Sequence, residues 1–466
     1  EGESDQTIVT GTANIGGGTI SLLPEEGSIY GVGTTYTFLT AGAVTNTFDN
    51  ITLTTASLFL DAALSYDSTH AYATLTRNNT PFTSAAITPN QTEVSAALDT
   101  LNGSNAVYNA IAGQSTLIGT QTAFSALTGE LHAGIKGSLL EEDFFIHHHL
   151  SFAGKGLWAQ AYGDWNERNG DDGVFPDTRR FTHKEKGIAF GYTSPAGGWL
   201  ARQNLLDTVG ISFAYGRSDY DVAVNEGNRA SGDTDHYRLT AYGQKQVGPL
   251  MLKTSGQYGL HQIKTDRDVF FTGYSDKLTA DYHAQTLQGT AEASAKLPTP
   301  IYLEPFARIS YGMAQIGAID EIGGGAALHA DSDLTTQGSS VLGFRLGHTL
   351  RLTGATFRQA SQTDLENNTA CNHGVLTTEG IPCAFLYTQA GWKHLIGSAY
   401  PTGTYNFTGS QTFTTSAAAA PRNAAIINVG VGLPLTPQAT FDVNYMGSHA
   451  PEASANAFRT GFTWKW

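Results

Sequence analysis

The chain has 466 residues, of which only 14% are charged and 53 are glycine, and its formal net charge is −15. This composition disfavours a helical globule and favours many strands joined by turns. The acidic balance argues against nucleic acid as a partner, because phosphate binding needs clustered Lys and Arg. No run approaches the roughly 18 apolar residues of a membrane-spanning helix.

The first part of the chain, as far as about Arg77, predicts short strands. Alternating runs such as Thr7–Thr10, Thr35–Leu39 and Ile51–Thr54 are separated by glycines. Short, evenly spaced strands with Gly turns are typical of a β-solenoid, in which each rung buries its face by stacking on the next. We expect the chain from Glu1 to about Arg77 to form the last rungs of such a solenoid.

The next zone, from about Thr88 to Ser151, has a helical pattern. Asn90 and Glu93 resemble a capping box after Pro89, which predicts a helix start. A second helix, capped by Thr120, carries one apolar face: Phe124, Leu127, Leu131 and Ile135. The segment Gly137–Leu150 can continue this helix and is unusually polar, with acidic residues Glu141, Glu142 and Asp143.

From about Lys155 onward the sequence predicts strand after strand with alternating faces. Many runs reach about ten residues, the length a tilted strand needs to cross a bilayer. Aromatic residues lie at strand ends, and short turns such as Val247-Gly248-Pro249 alternate with long loops such as Asp266–Asp276. These features predict an all-β fold, an antiparallel transmembrane β-barrel of about 12 strands. The polar faces are predicted to line the lumen with Gln160, Asp164, Arg238, Glu304, Arg308, Asp442 and Lys465.

The two cysteines, Cys371 and Cys383, enclose a short loop. One disulfide explains them better than a metal site, which needs four ligands. A disulfide implies an oxidising compartment such as the periplasm or the cell exterior.

Several segments resemble the autotransporters, the type V secretion translocators, in the order in which that family has them. Leu127–Ala133 resembles the family's linker helix, and Leu157–Trp165 resembles its first barrel strand. Ser231–Tyr237 and Leu303–Ala307 resemble later strands. The C-terminal residues resemble the terminal signal that the barrel-assembly machinery reads: Arg459, Gly461, Trp464 and Trp466.

The resemblance implies a monomeric barrel of twelve strands, with a helix in its lumen, in the outer membrane of a Gram-negative bacterium. Its partners would be membrane lipid, the assembly machinery and its own N-terminal passenger, which it would anchor and export to the outside. Residues 1–87 would be the end of a β-helical passenger, 88–153 a linker partly inside the barrel, and 154–466 the translocator. Since no signal peptide is visible at Glu1, we expect a signal and much of the passenger to lie upstream or to have been cleaved.

Two segments compete for the pore. In one interpretation Gly137–Leu150 fills it, and its acidic residues meet inward cations: Arg238, Arg308, Arg459 and Lys465. In the other, the Phe124–Ile135 helix lies inside, and Gly137–Leu150 lies at the periplasmic mouth. The first interpretation is the one we favour.

The chain departs from the family in two places. About 30 residues, including Arg358–Cys383, separate the predicted eighth and ninth strands, where the family has a short turn; they form an appendage, or the strand count is wrong by a hairpin. Some autotransporters cut themselves at an Asn-Asn pair in the pore. Here such pairs occur at Asn78-Asn79 and Asn367-Asn368, outside the predicted pore segment, so this activity is not expected.

No catalytic or cofactor motif appears in the sequence. His147-His148-His149 is better explained as a polar face than as a metal site, so neither cofactor nor metal is expected. One alternative is a barrel protease with rim residues Asp171, Asp172, Asp233, Asp235 and His236. Another is a plugged porin. The sequence does not identify the passenger, and it does not show whether the passenger is cleaved.

Overall fold

The computed structural model describes residues 4–23, 30–53, 58–141, 156–170, 178–223, 228–299, 302–353, 356–359, 383–436 and 438–464. Three parts follow one another: a small solenoid, a set of helices and a closed barrel. None of the helices in these residues has the length and apolar character needed to cross a lipid bilayer.

The N-terminal part contains parallel strands stacked with a regular offset. Strands β1 (Thr7–Asn14) and β2 (Thr19–Leu22) lie on β3 (Thr35–Thr45) and β4 (Asn50–Leu53). Thr7 pairs with Leu39 and Thr19 with Asn50, offsets of 32 and 31 residues, so one solenoid turn takes about this length of chain. Among the described residues, parallel stacking of this kind extends as far as β4. An antiparallel hairpin, β5 (Leu60–Tyr66) and β6 (His70–Arg77), closes the stack against β3.

The middle part contains four short helices after a 3-10 turn (Phe82–Ala85): α1 (Pro89–Leu98), α2 (Ala106–Ala112), α3 (Leu117–Ala126) and α4 (Glu130–Ser138). The predicted N-cap at Asn90 was wrong, because the Thr88 side chain accepts from Gln91 N and Pro89 occupies the first turn. The single predicted helix from Thr120 to Ile135 is broken at Gly129, whose φ of 71° ends the helical geometry.

Twelve antiparallel strands form the barrel. The barrel is closed, because the first strand pairs with the last. In chain order they are β7 (Gly156–Arg168), β8 (Phe181–Pro195), β9 (Thr208–Val222), β10 (Arg229–Val247), β11 (Leu250–Phe271), β12 (Tyr274–Ala295), β13 (Tyr302–Ile316), β16 (Asp333–Thr353), β18 (Cys383–Ile396), β21 (Asn423–Pro434), β22 (Ala439–His449) and β23 (Ala453–Trp464). A short helix, α5 (Gly198–Arg202), lies between β8 and β9. The predicted barrel and its strand number are confirmed.

At the end of the barrel that holds the helices, the long loops carry a second, smaller sheet. Its strands are β14 (Ile319–Asp320), β15 (Leu328–Ala330), β19 (Thr402–Phe407) and β20 (Phe413–Ser416). The predicted long loop Asp266–Asp276 was wrong: β11 and β12 continue through it to a tight turn at Thr272-Gly273, where Gly273 has a φ of 83°.

The departure between the eighth and ninth barrel strands is not an error in the strand count. β16 and β18 pair directly, from Gly338 opposite Ile396 to Arg351 opposite Cys383. The insertion begins with β17 (Thr356–Gln359), which pairs with the end of β16. Most of it, including Cys371, lies outside the described residues.

Candidate functional site

The lumen of the barrel is the candidate functional site, because polar and charged side chains converge there and the helices enter it. Of the residues expected to line it, Asp164, Arg238, Glu304 and Arg308 are buried, while Gln160 and Asp442 are half-buried. The neighbouring residues along each strand, such as Leu239 and Ile309, are exposed on the outer wall. Lys465 lies outside the described residues.

One ion-pair group lies on β7, β8 and β10. Arg238 Nη1 and Nη2 donate to Glu185 Oε1 and Oε2 at 2.6 and 3.0 Å. The Tyr162 hydroxyl donates to Glu185 Oε1 at 2.9 Å. A bidentate pair of this kind satisfies both charges inside the barrel.

A second group lies on β11, β12, β13 and β16. Arg308 Nε and Nη2 donate to Glu292 Oε2 at 3.0 and 2.8 Å. Arg345 donates to Glu292 at 2.7 Å and to Glu304 at 3.0 Å. Lys253 Nζ lies 3.5 Å from Glu292 Oε1. Three cations therefore share two carboxylates.

The last strand contributes a further pair. Arg459 Nη2 donates to Asp442 Oδ2 at 3.1 Å, and both Arg459 and Gly461 lie on the inner face. Trp464 is exposed on the outer face. The residues expected to form the assembly signal thus lie on opposite faces of the wall, apart from Trp466, which lies outside the described residues.

At the end of the barrel that holds the helices, many apolar side chains line the lumen and the helices pack against them. Leu127, Leu131 and Ile135 belong to one buried cluster with barrel residues of β11 and β12: Ile263, Val269, Phe271, Leu278, Ala280, Tyr282 and Ala284. The same cluster reaches Phe59, Leu75 and Phe82 at the solenoid end. Solenoid, helices and barrel are therefore packed as one body.

A buried polar group, which we name the Glu321 cluster, connects α4 to the barrel: Glu321, Arg267, His132 and Tyr282. Arg267 Nε and Nη2 donate to Glu321 Oε1 and Oε2 at 3.0 and 2.6 Å. His132 Nε2 lies 2.9 Å from Glu321 Oε1, and His132 Nδ1 lies 3.1 Å from the Tyr282 hydroxyl. Burial alone would raise the pKa of the Glu321 carboxyl, but Arg267 and the His132 hydrogen bond outweigh it and hold that pKa well below its ordinary value.

Helix α1 is bound by the edge of β20. Asn90 Nδ2 donates to the Ser416 carbonyl, and Ser416 N donates to Asn90 Oδ1, both at 2.9 Å. Thr414 N donates to Glu93 Oε2 at 3.3 Å. These side chains satisfy backbone groups that an edge strand would otherwise leave unpaired. The two residues of the supposed capping box therefore serve tertiary contacts instead.

Among the described residues, Glu141 is the acidic residue after α4, and it forms no ion pair with the predicted cations. Glu141 follows the helix, and its Oε2 accepts from Arg168 Nη2 at 2.7 Å. Arg238, Arg308 and Arg459 pair instead with carboxylates of the barrel wall. Glu142 and Asp143 lie outside the described residues. Of the two competing segments, Leu131–Glu141 lies within the lumen, which combines parts of both interpretations.

The residues considered for a protease site are not brought together. Asp233 and Asp235 lie on the outer face of β10, whereas His236 points inward and is fully buried, because neighbouring residues of a strand face opposite sides. Asp171 and Asp172 lie outside the described residues, as do His147–His149. Within the described part, no group of three or more His, Cys, Asp or Glu residues is placed to bind a metal.

Sequence reasoning missed Glu321, Arg267, Glu292 and Arg345, which hold the lumen together. Glu321 lies in a loop, and nothing in its local sequence distinguishes it. The pairs join residues 16 to 54 positions apart. Such pairing follows from strand register, which depends on every turn before it.

The barrel sequence matches the family model described as the autotransporter β-domain over residues 157–372. Over those residues the chain is similar to the autotransporter β-domain. The related β-domains are outer-membrane proteins.

Two similar curated proteins are both called extracellular serine protease and come from Serratia marcescens. One is 24% identical over 536 residues, covering 100% of this chain and 47% of the relative. The other is 24% identical over 496 residues, covering 93% of this chain and 43% of the relative. The chain thus spans less than half the length of these relatives.

Among solved structures, the translocator domain of the autotransporter NalP from Neisseria meningitidis has a TM-score of 0.48 and 15% identity, covering 72% of this chain and 96% of that one. The transport unit of the autotransporter AIDA-I from Escherichia coli has a TM-score of 0.41 and 14% identity, covering 67% of this chain and 91% of that one.

Proposed function

We propose that this translocator exports the part of its own chain that precedes the barrel and then anchors it at the cell surface, with residues 1–87 as the extracellular end of a β-helical passenger. The observation that carries the proposal is the position of α4. This helix is buried inside the barrel, and the chain on its N-terminal side leads directly to the solenoid.

The contacts around the helices support anchoring. The Glu321 cluster, the Lys136–Asp333 ion pair and the Asn90–Ser416 hydrogen bonds connect the helices to the barrel strands and to the small sheet. Several of these contacts are buried, where losing one partner is costly. The barrel therefore holds the segment that passed through it. Asn78-Asn79 lies next to β6, away from the lumen, and we expect the passenger to stay attached unless a separate protease cuts it.

We further propose that the barrel itself is not an enzyme and not an open porin. In the described part of the barrel wall, the Ser218 hydroxyl lies within hydrogen-bond distance of both His183 and His236. A substrate cannot reach this group, because Ser218 has 0% exposure. The helices occupy the lumen at one end of the barrel, which opposes free diffusion. The name of the Serratia relatives concerns much longer proteins, of which this chain spans less than half, so that name assigns no activity to the barrel.

Surface labelling of an epitope fused ahead of Ser4 tests the proposal. In intact cells the epitope should bind antibody when the whole barrel is present. It should stay hidden when β23 is deleted, because β23 closes the barrel against β7. A chain lacking only residues 360–382 of the insertion serves as the control and should still display the epitope. Surface labelling without β23, or none with the intact chain, would contradict the proposal.

A further inference from the structure

A continuous chain of hydrogen bonds crosses the inner wall of the barrel on six neighbouring strands, from β7 to β12. Each strand contributes one side chain, and we name the set the imidazole belt: Asn166, His183, Ser218, His236, His261 and Thr286. The donor–acceptor distances along it lie between 2.7 and 3.2 Å. All members except Asn166 are buried, so water does not replace these bonds. Half of the barrel strands are therefore joined through side chains as well as through the backbone.

One placement of the hydrogen atoms satisfies every bond in the first half of the belt. Asn166 Nδ2 donates one hydrogen to Asp164 Oδ1 at 3.1 Å and the other to His183 Nδ1 at 3.2 Å. Because His183 Nδ1 is then an acceptor, the neutral ring carries its hydrogen on Nε2 and donates it to the Ser218 hydroxyl. That hydroxyl in turn donates to His236 Nε2 at 2.7 Å.

The second half of the belt continues in the same direction. With Nε2 as an acceptor, the neutral His236 ring donates from Nδ1 to His261 Nδ1 at 2.7 Å. His261 then donates from Nε2 to the Thr286 hydroxyl at 2.9 Å. Each of the three imidazoles thus uses one nitrogen as a donor and the other as an acceptor, which is the neutral form of the ring.

An added proton breaks the belt at whichever ring receives it. On His261 the proton would turn Nδ1 into a donor, which would face the Nδ1 hydrogen of His236. On His236 it would face the hydroxyl hydrogen of Ser218, and on His183 the amide hydrogen of Asn166. A buried donor without an acceptor is costly, so the belt is compatible with neutral rings only.

The charged and titratable groups around the rings do not provide a counter-charge for such a proton. They come from β7 to β10 and from the end of α4: Asp164, Arg168, Glu185, Tyr220, Arg238 and Glu141. Arg238 acts on all three imidazoles. Its partner Glu185 and the Arg168 partner Glu141 are already engaged in ion pairs. A proton on His236 or His261 would therefore place a second positive charge beside Arg238 in a buried site.

We propose that the imidazole belt is a pH-sensitive switch in the barrel wall, which stabilises six strands while its rings are neutral and breaks when acid protonates them. The belt also reaches the linker, because Ser138 and Glu141 at the end of α4 line one cavity together with Asn166 and His183. Breaking the belt therefore loosens the wall beside the segment that lies in the lumen. The inference goes beyond export and anchoring, since it concerns the folded barrel whatever passes through it.

The test is urea unfolding of the purified full chain in phospholipid vesicles, followed by tryptophan fluorescence at about pH 8 and about pH 5. An unfolded His gains a proton near pH 6.5, and both conditions lie above the ordinary Glu value of about 4.3. The stability that the neutral rings provide is complete above about pH 6.5 and falls below it, because only the unfolded chain takes up the protons. The ratio of folded to unfolded protein should fall about tenfold per pH unit for each ring, hence on the order of thirtyfold per ring at pH 5.

The double variant His236→Gln, His261→Gln keeps groups that donate and accept but do not titrate. Its loss between the two pH values should be smaller than that of the unchanged chain by about thirtyfold for each ring removed. The control is His283→Gln, which removes an exposed imidazole from the outer face of β12 and should lose as much as the unchanged chain.

Two results would overturn the proposal. One is a difference between the double variant and the unchanged chain that is the same at both pH values, because the rings would then be structural only. The other is a control that loses as little as the double variant. If the double variant does not fold, His261→Gln alone gives the same comparison, with a loss about thirtyfold smaller than that of the unchanged chain.

Discussion

Arg267 on β11 and Glu321 in the loop between β14 and β15 form a bidentate ion pair, with N–O distances of 3.0 and 2.6 Å, at the end of the barrel that holds the helices. The same carboxylate accepts from Leu328 N at 2.9 Å and lies beside His132 of α4. A loop, a barrel strand and the linker helix thus meet at one carboxylate. The position of α4 in the lumen should therefore depend on Glu321.

Glu321→Gln should destabilise the protein, because it leaves the buried Arg267 without a counter-charge. Removing one partner of a buried pair costs about 3 kcal/mol or more. Urea unfolding of the barrel in phospholipid vesicles, followed by tryptophan fluorescence, measures the change. Asp233→Asn breaks the exposed pair with Arg217 and should cost less than about 1 kcal/mol. Equal effects of the two variants would count against a special role for Glu321.

The same substitution should raise the ion conductance of the barrel in planar bilayers. With Arg267 unbalanced and the charge removed from the partner of His132, α4 is held less tightly and leaves the lumen more often. Conductance of single barrels should therefore show frequent openings that the unchanged protein lacks. If the unchanged protein already conducted as an open pore, the helix-filled lumen would be wrong.

Lowering the pH should remove the stabilisation of the folded protein that Glu321 provides. The pKa of its carboxyl is depressed in the folded protein, so its stabilising effect is complete above the ordinary Glu value of about 4.3 and is lost as the pH falls through the folded value. The stability difference between the unchanged chain and Glu321→Gln should be constant near neutral pH and narrow below about pH 4. A difference that stays constant down to about pH 3 would show that the charge is not the cause.

Gly134→Leu should prevent α4 from seating in the lumen. A Cβ atom at Gly134 would lie 2.5 Å from the Phe181 ring, so a larger side chain cannot fit without displacing it. Overpacking of this kind costs about 1–3 kcal/mol. Protease sensitivity of the linker in intact cells should rise. The double variant with Phe181→Ala should restore part of the resistance, and failure of any rescue would mean that the two residues do not meet in the cell.

Substitutions in the last strand, β23, should distinguish effects on barrel assembly from effects on the stability of the folded barrel. Trp464→Ala should slow the appearance of folded barrels, because the exposed outer face of β23 is what the assembly machinery would contact. Arg459→Gln should instead lower the stability of barrels once formed, since it removes the inward pair with Asp442. Leu157→Ala, on the strand opposite Trp464, is the control for simple loss of lipid contact. Heat-modified mobility on gels, followed over time after induction, distinguishes these outcomes.

The predicted disulfide between Cys371 and Cys383 can be tested directly. Cys383 begins β18, and Cys371 lies outside the described residues. We expect the purified protein to take up a thiol-alkylating reagent only after reduction, which intact-mass measurement shows directly. Alkylation of both cysteines without reduction would exclude the disulfide.

The alternation of residues such as Leu239 and Arg238 was enough to predict the barrel, its strand number and which residues share a face, because pleating makes neighbours point to opposite sides. The helix break at Gly129 was not predicted, since the apolar spacing continues across it. The partner of Glu141 was wrong for a related reason. Charge alone does not choose between Arg168 and Arg238, and only the three-dimensional register does.

Cross-linking in intact cells tests the central claim most directly, namely that the linker helix remains in the lumen of a barrel that has displayed its passenger. His132→Cys and Tyr282→Cys are placed in a chain lacking the natural cysteines, because their rings lie 5.6 Å apart between centroids. Cells whose N-terminal epitope binds antibody are isolated and the protein is analysed without reduction. The surface-displayed molecules should carry the cross-link. Displayed molecules without it, beside cross-linked ones that remain undisplayed, would contradict the account.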